Sequence, residues 1–274
     1  MFRWLRREER TVLVYQMSKV GSTAITQSLG KRVRGYAVRH LHFLNPENIA
    51  AVERFVARHG ADVPQHIKDS RRIGADLASG KLNAKNTRII TLTRDPVARD
   101  VSSFMMNQDN YAGEFDMRRA QSEAIQRCAE RYLARLPDLM TIPDSPYVWF
   151  EAELKQMLGI DVYSVPFPKE IGYAVYEGVH PPLLVLRSED IDRCASEAVC
   201  SFLGLDRFTV VPSNVATDKA RGAFYRRFLQ TLRLPASFLD QVYGSRYVRH
   251  FYADEEIQAF RARWESDEDT PSAK

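Results

Sequence analysis

Three short apolar runs rich in β-branched residues stand out along the chain: Thr11-Val12-Leu13-Val14-Tyr15, Thr87-Arg88-Ile89-Ile90-Thr91-Leu92-Thr93 and Leu183-Leu184-Val185-Leu186-Arg187. Runs of this length without polar alternation read as strands buried on both faces, the signature of a parallel sheet. Between them the period changes to that of helices. Ser22 to Leu29 predicts a short helix closed by Gly30, and Tyr36 to His40 a second strand. Asn45-Pro46-Glu47 supplies a cap and a first-turn Pro for a helix reaching about His59-Gly60. Asp95-Pro96 opens another helix in the same way. A polar helix with an apolar side at Ala120, Ala124, Ile125 and Cys128 is expected from Asp116 to about Leu136. After a turn-rich break at Thr141 to Pro146, a helix ends near Leu158-Gly159; Ser188-Glu189-Asp190 leads into one that stops at Phe202-Leu203-Gly204. The last quarter is mostly helical, aromatic and basic. Alternating strands and helices predict a single three-layer α/β domain over residues 1–264, with a central, mainly parallel sheet and helices on both faces. An acidic tail, 265–274, has no apolar residues to bury and is expected to be solvated.

Composition narrows the picture modestly. A hydrophobic fraction of 45% and charged fraction of 27% are those of an ordinary globular protein. The net charge of +4 suits an anionic cofactor or acidic glycan without demanding nucleic acid. No run approaches membrane-spanning length. The segment Met1 to Arg10 has charge but no apolar stretch after it, so it does not read as a secretory signal. Its aromatic–basic mixture suits either weak contact with an anionic membrane surface or a solvated lead-in to the first strand. Cys128, Cys194 and Cys200 make no CxxC and lie near no His at ligand spacing, so they read as buried thiols in a reducing, cytoplasmic setting, and no metal site is expected. The sequence sets no oligomeric state.

Two segments carry the chemistry. Tyr15-Gln16-Met17-Ser18-Lys19-Val20-Gly21-Ser22-Thr23 follows the first strand and opens a helix. Such a turn binds phosphate through exposed amides, the helix dipole, a Gly that admits close approach and a neutralising Lys. Lys19, Val20, Gly21, Ser22 and Thr23 are the candidate contacts; an ordinary turn with Ser22 as N-cap is compatible with that role. Arg94 to Phe104 places Arg94 at a strand end and Ser102 eight residues on, fit to hold a second phosphate. Ser103 could serve instead if the helix is rotated, and Arg99 reads as a solvent or ion-pair residue. Two such sites suggest a nucleotide phosphorylated at both ends. His40 and His42 alternate at a strand end, so their imidazoles share a side and lie where an acceptor hydroxyl could lose its proton. His66 reads as a loop or helix-surface residue, with a place near the acceptor site as the alternative.

The paired segments resemble the 5′-phosphosulfate loop and the 3′-phosphate motif of sulfotransferases that use PAPS, 3′-phosphoadenosine 5′-phosphosulfate. Ser18 stands where that family's loop often has Pro. Arg39 to Leu44 resembles the His-x-His stretch of carbohydrate 2-O-sulfotransferases. Leu186-Arg187-Ser188-Glu189-Asp190-Ile191 with Phe202-Leu203-Gly204-Leu205 resembles an architectural stretch of the family. Asn214 to Phe228, with Lys219 and Arg221, occupies the place of its cofactor-covering segment. Ser245 to Tyr252 looks like the C-terminal stretch of bacterial carbohydrate sulfotransferases, and the later segments are similar to bacterial proteins of capsular polysaccharide synthesis. The resemblance implies a P-loop-type, sulfotransferase-like fold and PAPS as co-substrate. It also implies a carbohydrate hydroxyl as acceptor, Lys19 at the leaving phosphate, and a base at His42 or, with roles exchanged, His40. Two other classes stay open. A nucleotide kinase with a degenerate P-loop would need Mg-ATP, although the loop lacks the first Gly and its Lys precedes the Gly. A non-catalytic module would bind nucleotide or glycan without turnover.

Overall fold

The computed structural model describes residues 10–33, 35–107, 121–178, 181–211 and 219–265. One five-stranded sheet organises them: β1 (Arg10–Tyr15), β2 (Tyr36–Leu41), β3 (Thr87–Thr93), β4 (Tyr173–Tyr176) and β5 (Leu183–Arg187), in the spatial order β2-β1-β3-β5-β4. β2, β1, β3 and β5 run parallel, and β4 pairs antiparallel with β5 at one edge. The three apolar runs are the three inner strands, and almost every residue in them is buried, because helices cover both sheet faces. The edge strands β2 and β4 are only partly buried.

α1 (Ser22–Arg32) follows β1, α2 (Pro46–Arg58) and α3 (Gln65–Ala78) follow β2, and α4 (Pro96–Asn107) follows β3. α5 (Ser122–Ala134) comes next. A composite helix follows, with α-helical ends α6 (Pro146–Trp149) and α7 (Gln156–Leu158) around a π-helical stretch at Phe150–Lys155. α8 (Ile191–Leu203) leaves β5, and α9 (Lys219–Thr231), α10 (Ala236–Tyr243), α11 (Arg246–Phe251) and α12 (Asp254–Ala262) complete the chain.

Several expectations need correction. α1 does not stop at Gly30 but continues to Arg32, and its N-cap is Gly21, so Ser22 is the first helical residue and not the cap. α3 and β4 have no counterpart among the elements expected from sequence. Glu265, assigned to the solvated tail, is tied to α12 by an Arg261 Nε–H bond of 3.1 Å. The rest of that tail, the N-terminal segment before Arg10, Ala120 and the 212–218 stretch lie outside the described residues, as do the side chains of Lys219 and Arg221. Asn45 caps α2 through Glu47 N–H, and Asp95 caps α4 through Val97 N–H, as the sequence indicates. None of the helices among the described residues is long and apolar enough to cross a membrane.

From β1 the chain crosses to β2 on one side, whereas β3 lies on the other side of β1. The strand order therefore diverges between β1 and β3, and a crevice beyond the carboxyl ends of those two strands is where open α/β sheets bind ligands. The loop after β1 and the Arg94 turn after β3 both open there.

Candidate functional site

The loop between β1 and α1 is built around two left-handed residues, Lys19 at φ 65° and Gly21 at φ 86°. Lys19 is the sole non-glycine with positive φ among the described residues, a conformation that persists only where its surroundings enforce it. Three outside groups supply the enforcement. Arg99 Nε–H donates to the Ser18 carbonyl at 3.0 Å, Arg94 Nη1–H to the Lys19 carbonyl at 2.8 Å, and the Ser188 hydroxyl to the Val20 carbonyl. Three successive carbonyls are thus turned outward and satisfied. The backbone N–H groups of Lys19, Val20, Gly21, Ser22 and Thr23 find no acceptor among the described residues, an arrangement that suits an anion at the start of α1. Gly21 is favoured by its backbone and not by lack of space: at φ 86° a side chain is strained, although a Cβ there would make only ordinary contacts with Ile191 Cδ1 at 3.5 Å and Ser188 Oγ at 3.6 Å.

The two sequence motifs meet in this loop. Arg94 is held at its own backbone by Tyr247, whose hydroxyl accepts from Arg94 N–H at 2.9 Å and donates to the Arg94 carbonyl at 2.8 Å. Asp95 N–H donates to Glu189, and Tyr252 donates to the same carboxylate, so the Arg187–Asp190 stretch is architectural, as expected. Lys19 Nζ lies 3.9 Å from Met106 Sδ. Arg99, Ser102 and Met106 are spaced i, i+3, i+7 on α4, so Ser102 shares the helix stripe that faces the loop. Ser103, four residues from Arg99 and so also near that stripe, is buried, whereas Ser102 is half-buried. Of the two alternatives for Arg99, the structure shows the ion pair: Arg99 is 1% exposed and paired with Asp144. Sequence reasoning undervalued it because only the partner across the fold, 45 residues on, reveals its role.

Three cations therefore converge on one loop. Burial first, then Arg94 and Arg99, hold the Lys19 ammonium below its ordinary pKa. Asp144 partly balances them, accepting from Ser18 N–H at 2.9 Å, from the Ser18 hydroxyl and from Arg99.

Beside this cation cluster stand three imidazoles. His40 and His42 share a side, as predicted, with ring centroids 4.7 Å apart. His66, on α3, is not a free surface residue, since its ring lies 5.0 Å from that of His42. The Gln16 carbonyl can only accept, so the 2.7 Å contact fixes His42 as the Nδ1–H tautomer and leaves Nε2 unprotonated. His42 is held from behind as well: Trp149 Nε1–H donates to its carbonyl at 2.7 Å. The buried Glu153 carboxylate, in the π-helical stretch, accepts from Leu44 N–H, Asn45 N–H, Asn48 Nδ2–H and the Tyr15 hydroxyl. Burial lowers all three imidazole pKa values. His40 falls to about 3 and His66 to about 4, each further depressed by its imidazole neighbours. His42 is lowered chiefly by burial against the opposing pull of Asp144 and the Gln16 carbonyl. The Gln16 carboxamide, missed from sequence, is buried with neither polar atom hydrogen-bonded among the described residues.

Among the described residues no group of His, Cys, Asp and Glu could hold a metal ion. The arrangement can bind an anion at the loop and accept a proton beside it. Residues 140–253, under half of the chain, match the model of a family described as "Putative capsular polysaccharide synthesis protein". The matched stretch contains Asp144, Glu153, Glu189 and Tyr247, which pack around the site, and excludes the loop itself. No curated protein and no solved structure matches the chain.

Proposed function

We propose that this protein transfers a sulfuryl group from PAPS to a hydroxyl of a carbohydrate, on a sulfotransferase-like P-loop fold. The observation that carries the reading is the loop whose three outward-pinned carbonyls leave five amides and Lys19 facing one anion position, with Arg94 joining it to the second motif. The family match supports a role in glycan synthesis for the wider class.

In this reading the acceptor oxygen attacks sulfur in line as the bond from sulfur to the 5′-phosphate oxygen breaks. The acceptor proton goes to His42 Nε2, and the products are the sulfated acceptor and PAP, the 3′,5′-bisphosphate. Sulfuryl transfer, like phosphoryl transfer, asks mainly for positioning and charge stabilisation. Lys19 and the loop amides, with the Ser22 and Thr23 hydroxyls, stabilise the charge that grows on the departing phosphate. Arg94 and Ser102 hold the 3′-phosphate. His42 is favoured over His40 as base because its tautomer is fixed with Nε2 free and its basicity is less depressed by the other imidazoles. His40 then orients the acceptor.

Labelled PAPS offered to a library of oligosaccharide, lipid-linked glycan, alcohol and tyrosine acceptors should label a carbohydrate without added metal. Tight PAP binding with no transfer to any hydroxyl would favour the non-catalytic module, and Mg-dependent ATP turnover would favour the kinase.

A further inference from the structure

Asp144 sits where the two halves of the site meet. Its Oδ1 accepts from Ser18 N–H at 2.9 Å, and its Oδ2 takes the Ser18 hydroxyl and Arg99 Nη2. The same Arg99 also reaches Ser18 itself, through Nε to the carbonyl at 3.0 Å and Nη2 to the hydroxyl at 3.1 Å. The residue before Lys19 is therefore held at its N–H, its hydroxyl and its carbonyl by one ion pair. That is how a chain with Ser at this position, where no ring restricts the backbone, keeps the next residue left-handed. The carboxylate also has an electrostatic effect. Lys19, Arg94 and Arg99 act on one another across the loop, and His42 and His66 lie within range of Asp144. Asp100 lies 3.8 Å from Arg99 Nη1 but is turned toward the Tyr132 hydroxyl, so Asp144 is the carboxylate that bonds the loop directly.

We propose that Asp144 is the positioning residue of the anion loop and the counter-charge that limits how tightly the loop holds an anion. This rests on the anion-loop reading above. Two consequences separate the roles. Asp144→Asn keeps an acceptor for Ser18 N–H but removes the charge, so a bound anion meets three cations with only Asp100, beside Arg99, left to oppose them. Asp144→Glu keeps the charge but moves the carboxylate by one methylene, so the loop loses its setting.

The test is calorimetric binding of inorganic pyrophosphate and of PAP to the full-length protein and both variants, with PAPS turnover and melting temperature beside it. Asp144→Asn should bind both anions at least about threefold more tightly, the direction expected when a nearby like charge is removed from a half-buried site. Its KM and kcat for PAPS should fall together as PAP leaves more slowly. Asp144→Glu should bind both anions at least about threefold more weakly. Weaker anion binding in Asp144→Asn would reduce the carboxylate to a support of the fold and overturn the counter-charge. Should that variant not fold, Asp144→Glu still decides, because wild-type anion binding in it would overturn the positioning role. A wild-type protein that binds pyrophosphate but not PAP would overturn the sulfuryl-transfer reading alone and leave the Asp144 comparison intact.

Discussion

At the scale of single residues the account separates binding from turnover. In the proposed reaction Lys19 meets charge that develops as the leaving group departs, so Lys19→Ala should depress kcat more than it weakens PAP binding. Normal turnover in that variant would place the ammonium near the nucleotide without a part in transfer. His42→Ala should cut turnover by about two to four orders of magnitude with PAP affinity nearly unchanged, the scale of a lost general base. Activity retained in the His40/His42 double alanine variant would remove both imidazoles from the mechanism. The sequence alone suggests a rate that rises through an ordinary histidine pKa, and burial corrects this. Because burial holds the His42 imidazole below its usual value, the base loses its proton to the acid side of the ordinary histidine pKa of about 6.5. kcat/KM should then rise with pH only below that point and stay level above it, and a limb centred near pH 7 would contradict the assignment. Lys19, Gly21, Arg94, His40 and His42 were legible because their chemistry is local: a loop, a strand end, an alternation. Arg99, Asp144 and Gln16 were not, since each acquires its role from a partner far along the chain or from its lack of one.

At the scale of elements, the π-helical stretch connects packing to chemistry. It brings Glu153 under the β2–α2 turn, where the carboxylate gathers four donors that burial would otherwise leave unsatisfied. Glu153→Ala should destabilise the protein by about 3 kcal/mol or more in urea unfolding, since each orphaned buried donor costs about 1–3 kcal/mol. A loss under about 1 kcal/mol would show that water replaces the carboxylate without penalty. The helix itself was legible from Pro146 and from Gly159, its left-handed C-cap, but its π register was not, because that depends on the turn it packs against. α3 escaped notice because its buried positions Ile67, Ser70 and Ile73 include a polar serine and are followed by Gly74, which leaves the apolar spacing sparse. β4 is four residues at a sheet edge, too short and too exposed to stand out as a pattern.

For the whole molecule, the inner strands were readable because burial on both faces leaves little room for polar residues, and this placed both motifs at one edge of the sheet before any contact was known. What the pattern could not supply was the strand order, which depends on long-range pairing and decides that β1 and β3 are neighbours. That adjacency lets Arg94 reach the Lys19 carbonyl. Arg94→Ala removes this brace and, in the proposed site, a charged contact to the 3′-phosphate, so PAP binding should weaken by at least about 2–3 kcal/mol, with the melting temperature of the free protein also lowered. Equal PAP affinity in wild type and variant would remove Arg94 from the nucleotide site.

The central claim, a site for a nucleotide phosphorylated at both the 5′ and 3′ positions, is tested most directly by titrating the metal-free protein with PAP, AMP and ATP and comparing dissociation constants. PAP should bind at least about tenfold more tightly than AMP or ATP, with Mg²⁺ leaving that order unchanged, a loss of one charge-assisted phosphate contact being worth about 1.5–3 kcal/mol. Equal affinity for PAP and AMP, or ATP binding that appears only with Mg²⁺ and exceeds that of PAP, would contradict it.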